Sequence, residues 1–134
     1  TLAAEVRAAV ETPVSFLYMG DYLHGGIERE AIEAIVDRVN VLCYGSSPEQ
    51  ASRTIRETIQ TMADPGKLIC GLQGHHPIDS SELMLGMLQT VYENGARRFS
   101  YYNYGMISLR NLAWIKEAIA TVRAIDRDAS HLSN

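Results

Sequence analysis

The chain has 134 residues, 46% of them hydrophobic, and a formal net charge of −4 with both signs scattered along its length. That supports one continuous core and gives no electrostatic footprint for nucleic acid or an anionic membrane surface, so neither partner is expected. No run approaches the roughly 20 apolar residues of a membrane span, and Thr1 to Arg7 lack the apolar centre of a signal peptide.

In chain order, Leu2 to Val10 is Ala-rich and reads as a helix that Pro13 stops. With no Met at residue 1 and a helical opening, the chain is expected to begin inside a longer protein. Val14 to Met19 is the first strand, running into the corner Gly20-Asp21-Tyr22. Glu28 to Arg38 follows as a helix with Ile32, Ile35 and Val36 on one face and Glu30, Glu33 and Asp37 turned away. Val39 to Tyr44 is the second strand, entering Gly45-Ser46-Ser47. Ser47 caps the next helix, Pro48 suits its first position and Gln50 completes a capping box ahead of Ala51, Ile55, Ile59 and Met62. Asp64-Pro65-Gly66 ends that helix. Lys67 to Leu72 is the third strand and Gln73-Gly74-His75-His76 its corner. A helix capped at Asp79-Ser80-Ser81-Glu82 presents Leu83, Met84, Met87, Leu88 and Val91 and closes at Asn94-Gly95. Arg98 to Tyr104 is the fourth strand, and the last helix runs from near Ser108 to Arg127, leaving 128–134 as a frayed tail.

The repeat is strand plus helix, with a period of roughly 25 to 30 residues. Near-continuous apolar strands such as Val39 to Tyr44 predict a parallel α/β sheet in a single domain spanning 1–134. Four such units make either a small open sheet or half of an eight-stranded TIM barrel. Polar residues within the strands (Ser15, Asn40, Ser100), Gly71, and helices that each carry one apolar stripe favour the half-barrel. Inward-pointing Ser15, Asn40, Ile69 and Ser100 would carry Met19, Asp21, Tyr44, Gln73, His75, Tyr102 and Tyr104 to one mouth.

The corners after the strands hold the candidate chemistry, because βα units place ligand groups there. Asp21 reads as a general acid or base, a substrate hydrogen-bond acceptor or a metal ligand, or else as a helix-capping or turn aspartate. His75 reads as an acid–base or hydrogen-bonding group, or as a histidine satisfied by its own loop. Adjacent His75 and His76 point apart and cannot chelate one ion as a pair, so no metal site is assigned. Tyr102, Asn103 and Tyr104, with Tyr22 and Tyr44, offer apolar faces with polar tips that suit a sugar ring, although aromatics at strand ends also serve as packing. Gln73 and His76 complete the proposed lining. No phosphate-loop or dinucleotide motif occurs, and no cofactor is expected. Cys43 and Cys70, each just before a corner, read as buried hydrophobes.

The run Lys67 to Gly74, followed by a helix and then by Gly95 to Gly105 with its Phe99-Ser100-Tyr101-Tyr102-Asn103-Tyr104-Gly105 strand, resembles the last two βα units of bacterial glycoside-hydrolase-like (β/α)8 barrels. The whole chain resembles the carboxyl-terminal half of such a barrel. The resemblance implies a carbohydrate ligand and glycoside hydrolysis by the complete barrel. It also implies the remaining half, or a second copy in a homodimer, as partner. Many retaining barrels carry a nucleophilic glutamate after strand seven, where this chain has Gln73 to His76 and no carboxylate before Asp79. Glycosidases need two carboxyl groups; Asp21 is the candidate here, and a second would come from the other half. A noncatalytic sugar-binding or assembly domain, and a metal-dependent lyase or isomerase using His75 and Asp21, are the alternatives.

Overall fold

A computed structural model of the chain describes residues 2–19, 29–45 and 47–131. Helix α1 (Leu2–Ala9) precedes strand β1 (Ser15–Met19), α2 (Arg29–Glu33), β2 (Arg38–Leu42), α3 (Pro48–Thr61), β3 (Leu68–Gln73), α4 (Ser81–Glu93), β4 (Phe99–Tyr102) and α5 (Leu109–His131). Short 3-10 turns at Pro65–Lys67 and Tyr104–Met106 lead into β3 and out of β4.

The four strands form one all-parallel sheet in the order β1-β2-β3-β4. Doubly wound sheets reverse their strand order at a switch point, and this one does not. The period of two separates its faces. Val39, Val41, Cys43, Cys70 and Leu72 point into the core with Ile55, Met84, Leu88 and Val91 of the helices. Helix α3 packs on α4, and α4 on α5. The opposite face carries Leu17, Asn40, Leu42, Ile69, Gly71, Ser100 and Tyr102, with Leu17 55% and Tyr102 50% exposed. No described helix is long and apolar enough to cross a membrane.

Local signals placed α3 and α4 well. Ser47 and Gln50 form the reciprocal capping box, with Gln50 N–H donating to Ser47 Oγ at 3.3 Å and Ser47 N–H to Gln50 Oε1 at 2.8 Å. Ser80 caps α4 by accepting from Leu83 N–H at 3.1 Å. Helix α2 is shorter than the pattern suggests, because the chain tightens after Glu33 and Arg38 already pairs with Ser15 as the first residue of β2. Helix α5 extends through residues 128–131, past the expected end, since no Gly or Pro interrupts it.

Glu33 is not turned to solvent as its place on α2 suggested: it is 3% exposed. Its Oε2 accepts from Ala63 N–H at 2.9 Å and from Asp64 N–H at 3.4 Å, satisfying the loop after α3. Lys67 Nζ returns the link by donating to Glu33 O at 2.6 Å and Val36 O at 2.9 Å, neutralising the carbonyls at the end of α2. Glu33 Oε1 has no hydrogen-bond partner among the described residues, and that burial offsets part of what Oε2 contributes. We therefore expect Glu33→Ala to cost only about 1 kcal/mol, and Glu33→Gln less, in urea unfolding. A loss from Glu33→Ala of three times that size would mean that Oε1 is not the burden described.

Candidate functional site

Four side chains meet at the carboxyl ends of β2, β3 and β4. The backbone leaves β2 through Tyr44 and turns at Gly45, whose φ of +66° favours glycine. The freed Gly45 N–H donates to Gln73 Oε1 at 2.9 Å, so the last residue of β3 fixes the corner that follows β2. The other end of the same amide is also engaged. Gln73 Nε2 donates to His76 O and lies 3.4 Å from His75 Nδ1. The amide nitrogen can only donate, so this contact is a hydrogen bond in the tautomer whose ring proton sits on Nε2. Gln73 is thus a clamp between two corners, with its oxygen in one and its nitrogen in the other.

Tyr102 ends β4 in register with Gln73. Its ring stacks on Tyr44, with centroids 5.2 Å apart and planes 24° from parallel. His75 approaches Tyr102 at 6.4 Å with a 58° tilt. Burial pushes the Tyr44 hydroxyl up to about 12, with Tyr102 adding to the effect, so Tyr44 keeps its proton and can donate a hydrogen bond at neutral pH. The period-of-two placement of Tyr44, Gln73, His75 and Tyr102 on one mouth matches these contacts.

Other candidates lie differently. Asp21 and Tyr22 fall outside the described residues. The exposed His76 contributes its carbonyl to Gln73. Asn103 turns its Oδ1 back to accept from Gly105 N–H at 3.2 Å, capping the following 3-10 turn. Tyr104 lies on that turn and is 79% exposed. The His76–Pro77 and Tyr102–Asn103 peptides are both cis. Among the described residues no three His, Cys, Asp or Glu side chains gather as a metal site would need.

Sequence reasoning missed Asn111. It sits in the first turns of α5, 5% exposed, and its Nδ2 donates to Gly74 O at 3.0 Å and Ile78 O at 3.2 Å. Ser108 Oγ donates to Asn111 Oδ1 at 2.9 Å and accepts from Asn111 N–H, holding the amide in that orientation. Asn111 therefore brackets the His75-His76 segment from below. A Ser108-x-x-Asn111 spacing at a helix start signals a cap, but nothing in it points to a loop more than thirty residues earlier.

Behind the mouth, on the helix side of the sheet, Cys43, Leu72, Met84, Met87 and Tyr101 line a largely apolar cavity of about 420 Å³. Cys43 and Cys70 are free and buried, as expected of small hydrophobes, with their sulfurs 3.9 Å apart. The hydrogen bond to Cys43, then burial, pushes the Cys70 thiol up. The cavity offers few polar groups, whereas the strand ends bring rings, an imidazole and a phenol together.

Comparison of the chain with protein-family models, with curated proteins and with solved structures finds no match.

Proposed function

We propose that this chain forms one side of the mouth of a (β/α)8 barrel that binds a carbohydrate and, when complete, hydrolyses a glycosidic bond. The stacked Tyr44 and Tyr102 carry the reading. Two rings side by side at the strand ends, with a protonated phenol and an imidazole beside them, present an apolar platform edged by hydrogen-bonding groups. The strand order supports the barrel half of the proposal: four parallel strands without reversal, one face under helices and the other layered with Asn40, Ile69, Gly71 and Ser100, leave β1 and β4 as edges for four further βα units.

In this reading Asp21 supplies a carboxyl group at the mouth and His75 assists as an acid–base or hydrogen-bonding group, while Tyr22, Tyr44, His76, Tyr102, Asn103 and Tyr104 touch substrate. Gln73 acts mainly as the clamp that orients Gly45 and His75. Because the described corner after β3 holds no carboxylate, the second acid comes from the other half of the barrel. The same gap gives some weight to a sugar-binding domain without catalysis.

Titration calorimetry with a panel of oligosaccharides tests the platform. Tyr102→Ala and Tyr44→Ala should each weaken binding by more than about tenfold, or about 1.4 kcal/mol. Wild-type affinity in both variants would remove the proposal. Asp21→Asn separates the two readings, since a hydrolase loses turnover with affinity largely kept, and a noncatalytic domain has no turnover to lose.

A further inference from the structure

We propose a second ligand site, for a small phosphate monoester, at the end of the sheet opposite the mouth. A cavity of about 490 Å³ lies at the amino ends of β3 and β4, and Arg38, Arg97, Arg98 and Arg123 all line it. Among the described residues no carboxylate does. The ion pair found among the described residues is Arg7 with Asp37 at 3.2 Å, so none of the four cavity arginines is neutralised by a described acid. Four guanidinium groups around one recess repel one another, and an oxyanion between them relieves that repulsion.

Two of the four are fixed before any ligand arrives. Arg97 Nη1 donates to Tyr92 O at 2.7 Å and to Ala96 O at 3.1 Å, and its guanidinium lies 4.3 Å from the centre of the Tyr92 ring. Arg98 Nη1 donates to Gly66 O. Each spends a single nitrogen on the backbone, and a guanidinium has five N–H donors, so several remain for a ligand. Arg38 and Arg123 are exposed, and their guanidinium groups have no hydrogen-bond or ion-pair partner among the described residues. Forked donors of this kind match the oxygens of a phosphate in pairs, which gives both strength and geometry.

Size and surroundings decide what carries the phosphate. The recess is far larger than the ion alone and falls within the usual range for small-molecule sites. Phe99 and other apolar side chains form part of its lining, which suits an organic body attached to the phosphate. A single compact recess on a chain of net charge −4 fits a small phosphorylated molecule better than a nucleic-acid backbone, which needs an extended basic track.

Phenyl phosphate and inorganic phosphate are suitable probes, measured by calorimetry and by thermal shift at low ionic strength. Both should raise the melting temperature, with phenyl phosphate the tighter. Arg38→Gln and Arg123→Gln, which remove no described structural bond, should each weaken phenyl phosphate by about tenfold, and Arg123→Lys by less. Arg53→Gln, an exposed arginine of α3 away from the cavity, should leave binding unchanged. The proposal is overturned if neither probe binds, if Arg53→Gln weakens binding as much as Arg123→Gln, or if a ten-nucleotide single strand binds more tightly than phenyl phosphate through the same arginines.

Discussion

Asn111→Leu is expected to lower the stability of this protein by about 3 kcal/mol and to loosen the corner that carries His75. Leucine keeps the branched four-atom side chain of asparagine, so the change makes no cavity, and it removes the hydrogen bonds while setting bulkier methyl groups against the two carbonyls. Asn111 Nδ2 is the donor that Gly74 O and Ile78 O find in α5, and both carbonyls would be left beneath a helix with an apolar group facing them. Each unsatisfied buried carbonyl costs about 1–3 kcal/mol. Asn111→Asp should be at least as damaging at neutral pH, since a carboxylate would face two carbonyl oxygens in a site that is 5% exposed. Urea denaturation should show a lower midpoint with an unchanged slope in both variants. The imidazole resonances of His75 should shift as well, because Gly74 and Ile78 bound its segment. A loss below about 1 kcal/mol in Asn111→Leu would mean that the loop finds other donors and that Asn111 does not set the corner.

The difference between what could and could not be read from the sequence follows the range of the interactions. The capping box of α3 joins Ser47 to Gln50 three residues away, and a local pattern reveals it. The placement of Tyr44, Gln73, His75 and Tyr102 on one mouth rests on the alternation of strand side chains, which also survives in sequence. Glu33 and Asn111 were illegible for the opposite reason. Glu33 reaches Ala63 and Asn111 reaches Gly74, separations of 30 and 37 residues, and a polar residue on a helix looks the same whether it faces water or a neighbouring loop. The second role of Gln73 was hidden in the same way, since its pairing with Gly45 N–H exists only once β2 and β3 lie side by side. The bounds of α2 failed through competition, as apolar spacing continued the helix while pairing with β1 drew Arg38 into the sheet.

Gly71→Val is the second large effect expected, about 3 kcal/mol, and it tests how the sheet face opposite the helices is built. Gly71 lies in the middle of β3 with Leu42 of β2 and Ser100 of β4 as its register partners. Because it has no side chain, Asn40 of β2 can reach Ser100 of β4 across β3, with Asn40 Nδ2 3.3 Å from Ser100 Oγ. A Cβ at Gly71 would stand 2.6 Å from Leu42 Cδ2, 3.0 Å from Asn40 Oδ1 and 3.4 Å from Val41 O. The leucine tip can rotate away, so alanine should cost about 1 kcal/mol, mainly the Asn40–Ser100 bond. Valine adds two methyl groups that the neighbouring strands cannot both clear, and it must move Asn40 or the β2 backbone. A double-mutant cycle assigns the cause. If Gly71→Ala acts by breaking the bridge, then Ser100→Ala should cost less in the Gly71→Ala background than in wild type. Full additivity would show that the bridge contributes nothing and that the strain lies at Leu42. Since Gln73, two residues beyond Gly71 on the same strand face, clamps the corners of the mouth, the size of this term also measures how firmly the sheet supports the tyrosine platform.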